Sequence, residues 1–216
     1  MNLLPALHLG LAIAASFTAI SMIVMVLRIS SLGRRPIYAK AAGSELEGVK
    51  YAFTQGMLPS AKESVRMHMP TFVGGILYHA GIFAAALNLL LVVTHVTVPP
   101  AVVLALRSLM LAGLVSGVAL LVKRLALPKM RIISTPDDII ANVMVDLFLV
   151  LSIATTMMVT LEPWLLGSTI LLLLYIPIGK IRHCVFFFYT RIVFGMLFGR
   201  RGVNPHPAQE SQRAAR

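Results

Sequence analysis

The sequence predicts an all-α integral membrane protein: an antiparallel bundle of five transmembrane helices, N-terminus outside and C-terminus in the cytoplasm. Three observations lead there. Of 216 residues, 58% are hydrophobic and 12% charged, with mean hydropathy +0.86, whereas a soluble domain carries roughly 25% charge. A helix needs ~20 apolar residues to cross ~30 Å of hydrocarbon, and five such stretches occur, at 7–27, 71–93, 100–122, 139–160 and 164–187. Finally, Lys and Arg gather on alternate connections: seven from Arg28 to Arg66, four from Lys123 to Arg131 and seven from Lys180 to Arg216, with none on the connections between. Positive residues near span ends stay on the cytoplasmic side, which sets the orientation.

The first stretch lacks Asp, Glu, Lys and Arg through Leu27. It also lacks a basic start and a small-x-small cleavage site before Arg28, so it reads as an uncleaved span rather than a signal peptide. The connection 28–69 is mixed in charge and contains Gly33, Gly43, Gly48, Gly56 and Pro59. At about forty residues it exceeds what a simple connection needs, and it reads either as a docking surface for a soluble partner or as a linker. Spans two and three meet at a hairpin tip near Val96 to Pro99, and spans four and five at another near Leu161 to Pro163. Span four opens with Ser134-Thr135-Pro136-Asp137-Asp138, where a hydroxyl can cap, proline suits the first turn and acids sit at the positive end of the dipole. In span five Pro177 removes one backbone hydrogen bond and should bend the helix ahead of His183. The aromatic and basic run after His183 reads as a helix leaving the bilayer through an interfacial belt. One domain is expected over 1–203, without internal repeat, followed by a disordered cytoplasmic tail over 204–216.

The pI near 10.6 follows from the positive-inside bias rather than from nucleic-acid binding. Cys184 is the only cysteine, which excludes a disulfide framework, a four-thiolate iron-sulfur cluster and covalent c-type haem.

His79 and His183 carry the chemistry. Each follows a glycine by four residues, Gly75 and Gly179. Residues four apart share a helix face, so each glycine is expected to clear room beside its imidazole for a porphyrin plate. A histidine within the bilayer is costly unless its nitrogen lone pair is used. By rise per residue, His183 lies ~28 Å below Trp164 and His79 ~12 Å from the face where span two starts, which places both in the inner half. The residues thus predict one non-covalent haem b with two axial imidazoles, a centre that carries electrons rather than binding oxygen. His8 and His95 lie at the opposite span ends and could meet there, which keeps a second, outer haem open, with interfacial, solvated residues as the alternative. His68 reads as interfacial and His206 belongs to the tail. Lys180, Arg182 and Arg66 are the nearest cations for the haem propionates. Two charges fall inside spans, Asp146 and Arg107. Asp146 could orient a ligand histidine, take a proton from quinol, or hydrogen-bond a neighbouring helix; Arg107 could be functional or snorkel outward. Two other classes stay open: a haem-free anchor for a soluble complex, and a small transporter using those two charges.

Gly56-Met57-Leu58-Pro59, Lys62-Glu63-Ser64 and Arg66, Ile76-Leu77-Tyr78-His79-Ala80-Gly81, Ser134 to Asp138, and Gly179-Lys180-Ile181-Arg182-His183-Cys184 together resemble the membrane cytochrome b subunits related to the gamma subunit of respiratory nitrate reductase. That group includes the haem subunits of heterodisulfide reductases and of sulfite-reductase-linked complexes. The resemblance implies a multi-subunit complex in a prokaryotic cytoplasmic membrane, b haem between spans two and five on His79 and His183, quinone exchange, and a cytoplasmic iron-sulfur partner. It departs at the outer histidine pair, whose places fall near Leu89 and Leu165. A second haem is therefore not expected.

Overall fold

The computed structural model describes residues 3–33, 38, 40–61, 65 and 67–203. Eight α-helices occur among them: α1 (Leu3–Ser31), α2 (Glu45–Phe53), α3 (Met69–Thr94), α4 (Pro100–Ala126), α5 (Pro128–Ile133), α6 (Pro136–Thr155), α7 (Glu162–Tyr175) and α8 (His183–Arg200). Five segments are long and apolar enough to cross a membrane: Leu3–Ser31, Met69–Thr94, Pro100–Ala126, Pro136–Thr155 and Lys180–Arg200. The chain is an all-α, multi-pass membrane protein. The tail over 204–216, with His206, lies outside the described residues, as does Arg66.

The first four spans match their expected positions within a few residues. The fifth does not. The predicted continuous helix over 164–187 is instead two helices, α7 and α8, separated at 176–182. Pro177 supplies the reason: it has no N–H to give to the carbonyl of Leu173, four residues back. That carbonyl is taken by the Thr18 hydroxyl of α1 at 2.6 Å, and the chain closes α7 with Ile178 and Gly179 amides on Tyr175 O. A short 3-10 turn, Lys180–Arg182, then leads into α8. Pro177 thus ends a helix where a bend was expected.

The chain packs as two compact units, Met1–Val24 with His68–Arg182, and Met25–Met67 with His183–Arg216. The core of the first unit lies where α3, α4, α6 and α7 meet, around Ala85, Met110, Leu149 and Leu165. Small residues set its closest approach. A Cβ at Gly81 of α3 would lie 2.6 Å from Gly113 Cα and 3.0 Å from Leu109 O of α4, a spacing that membrane helices reach only through such residues.

In the second unit the long connection proves to contain a helix. Ser44 caps α2, its side chain accepting from the Glu47 amide, and α2 lies on α8. Gly43 and Gly48 face Gly195, Gly199 and Gly202, and a Cβ at Gly195 would stand 2.7 Å from Val49 Cα. Amides of Ala42 and Gly43 bond to Arg200 O at 2.9 and 3.1 Å. Of the two readings of this connection, an ordered helix on α8 departs from a plain linker.

Candidate functional site

His79 stands on an exposed face of α3. Its Nδ1–H donates to Gly75 O at 2.7 Å, which fixes the tautomer and leaves the lone pair on Nε2, the arrangement common to metal-ligating histidines. A Cβ at Gly75 would meet nothing within 4 Å, so there is space at that glycine, one turn before the imidazole. This half fits a haem ligand.

The His183 half differs from expectation. His183 is exposed and is the first residue of α8, while Gly179 lies in the preceding turn, so the two share no helix face. The notch at Gly179 is filled by the ring of Tyr175, which a side chain there would strike. The Tyr175 hydroxyl in turn donates to Asp137. Gly179 therefore makes room for a tyrosine of its own unit instead of a porphyrin. His79 and His183 belong to different units.

Lys180 of the expected propionate set is engaged elsewhere: its Nζ meets Asp138 Oδ2 at 2.5 Å, and Arg124 meets Asp138 Oδ1 at 3.1 Å. The same carboxylate accepts the Thr135 amide and hydroxyl in a capping box at the start of α6. Arg182 is exposed.

Asp146 is 8% exposed and takes a hydrogen bond from Asn142 Nδ2 at 2.8 Å. Asn142 also donates to the Tyr78 hydroxyl oxygen at 3.2 Å, and Tyr78 donates to Asn142 O at 3.3 Å. A side chain at Gly117 would collide with both Asp146 and the Tyr78 ring; glycine there admits the polar cluster between α3, α4 and α6. Tyr78 precedes His79, and their rings meet edge-on at 6.4 Å. The buried carboxyl that the sequence singled out is thus linked to the helix bearing the candidate ligand. Its hydrogen bond to Asn142 stays within α6, and it is Asn142 that makes the bonds to Tyr78 of α3.

Arg107 turns to α6: its Nε donates to Thr156 Oγ1 and its Nη2 to Thr156 O, both at 3.0 Å. A cation at the carbonyl end of a helix is favourable, so Arg107 closes α6 rather than snorkelling away.

His8 and His95 do meet, with ring centroids 6.0 Å apart. Glu162 joins them, Oε1 lying 3.6 Å from His8 Nε2, while His8 Nδ1–H gives to Leu4 O at 2.9 Å. Sequence reasoning missed Glu162, which looks like an ordinary acid in a helix's first turn. Its 8% exposure has no local signature. Among the described residues no group of three His, Cys, Asp or Glu is placed to hold a metal ion; axial ligation of haem calls for two.

No protein-family model, curated protein or solved structure matches the chain.

Proposed function

We propose that this chain is a haem b subunit of a membrane oxidoreductase complex, exchanging electrons between quinone and a cytoplasmic iron-sulfur protein, in a prokaryotic cytoplasmic membrane with its N-terminus outside. The observation that carries this reading is His79: an exposed histidine on an apolar helix, its ring oriented through Nδ1 by a backbone carbonyl at 2.7 Å, beside Gly75, where a Cβ would meet nothing within 4 Å. His79 and His183 would hold the group, with Arg182 as the nearest uncommitted candidate for its carboxylates and Arg66, outside the described residues, as another. Haem so ligated supplies one-electron transfer. The protein's part is orientation of the ligand ring, electrical compensation of the propionates, and the polar chain from Tyr78 to Asp146 beside the ligand helix, which offers a route for a quinol proton.

The absorption spectrum of the purified full-length protein tests this. Reduced b-type bands at about one haem per chain are expected, abolished by His79→Ala and by His183→Ala, and retained in His8→Ala and His95→Ala. Colourless protein refutes the reading. A second reading, a haem-free anchor, draws on one observation: the notch at Gly179 is already filled by Tyr175.

A further inference from the structure

A cleft of about 290 Å³ opens in the second unit between α2 and α8, lined by Gly48, Tyr51, Thr190, Arg191, Phe194 and Phe198 among others. Its floor exists because Gly48 and Gly195 let the two backbones touch.

Among the described lining residues Arg191 is the only charge. The guanidinium makes one long hydrogen bond, Nη1 to Ala52 O at 3.4 Å, and lies 5.3 Å over the Phe187 ring. A guanidinium has five donors, so most of its capacity remains for an acceptor. Among the described residues no carboxylate pairs with it: Glu45 goes to Arg200 and Glu47 to Lys50. A cation on an apolar helix is costly until an anion offsets it. Beside it, Phe194 and Phe198 stand three and seven positions on, along the same helix face. They are 54% and 42% exposed, stacked with centroids 6.1 Å apart, and form an apolar ramp leading from the charge.

We infer that this cleft binds a net-anionic phospholipid, its phosphate on Arg191 and the start of an acyl chain along Phe194 and Phe198. A neutral ring would leave the guanidinium uncompensated, and a free phosphate would leave the ramp unused. Arginine forks onto phosphate oxygens with short, charge-assisted bonds. The inference does not depend on haem.

Native mass spectrometry of the full-length protein in detergent, titrated with phosphatidylglycerol, with phosphatidylcholine of identical chains, or with inorganic phosphate, decides it. Wild type should retain one phosphatidylglycerol about fivefold more tightly than phosphatidylcholine, the factor that about 1 kcal/mol for one cation at an anionic lipid gives. Arg191→Leu should abolish that preference and Arg191→Lys should keep part of it; Phe194→Ala should weaken both lipids. Equal retention of the two lipids by wild type overturns the proposal even if no variant folds. So does an unchanged preference in folded Arg191→Leu, or inorganic phosphate displacing the lipid at equal concentration.

Discussion

Replacing Gly81 by alanine tests the packing that positions the ligand helix. The added Cβ would stand 2.6 Å from Gly113 Cα and 3.0 Å from Leu109 O. Carbon atoms rest at about 3.5 Å or more, so α3 and α4 must part by about 1 Å. The opposing atoms are backbone, and no rotamer change can relieve them. Overpacking of this kind costs about 1–3 kcal/mol, set against a gain of ~1 kcal/mol that Gly→Ala brings to a helix interior. Gly75→Ala is the control on the same helix, since its Cβ meets nothing within 4 Å and only the propensity gain applies. The pair should therefore differ by about 1–3 kcal/mol, with Gly75→Ala the more stable. Unfolding of the purified protein by SDS in mixed micelles, followed by circular dichroism, measures both. If Gly81→Ala proves as stable as Gly75→Ala, the close approach of α3 and α4 is wrong, and with it the placement of Tyr78 and His79 relative to α4 and α6.

Other expectations follow from single contacts. Arg107→Leu removes two hydrogen bonds to Thr156 and should lower stability by about 1.5–3 kcal/mol, the usual worth of a bond to a charged group, with the hydrogen-exchange change concentrated at residues 152–158. Gly117→Ala should push apart the Tyr78, Asn142 and Asp146 cluster; the tyrosine's ultraviolet resonance Raman hydrogen-bond marker should shift, and an unshifted marker would contradict the crowding there. Asp138→Ala removes the cap of α6 together with the pairings to Lys180 and Arg124; the cap alone is worth about 1 kcal/mol, and the partly exposed ion pairs add less than that together. Its loss should appear in the same SDS titration.

Much of the architecture was written in composition. Four spans were legible because a run of ~20 apolar residues has few other homes, and the start of α6 because hydroxyl, proline and acids fall in the order a helix N-terminus wants. The fifth span was misread because hydropathy runs unbroken across Pro177. Length and apolarity do not tell a bent helix from two helices; that depends on whether a distant group takes the carbonyl the proline strands, and Thr18 is remote in sequence. The Gly-x-x-x-His spacing misled at Gly179 for a related reason, since spacing implies a shared face only within one helix. At Gly75 the helix is continuous, so glycine and histidine do lie four apart on one helix. Glycines 43, 48, 195 and 199 were visible as residues, but their mutual contact joins segments far apart in the chain and could not be read from either alone.

The Thr18 hydroxyl carries a consequence for assembly. Its acceptor on Leu173 lies 155 residues further along the chain, so α1 must enter the bilayer long before that carbonyl has been synthesised. Thr18 also reaches Ala14 O within its own helix, at 2.8 Å, an acceptor that does not depend on the distant helix. When the proline-terminated helix arrives, the same proton is shared outward. One hydroxyl thus ties two helices distant in sequence while keeping an acceptor in its own helix.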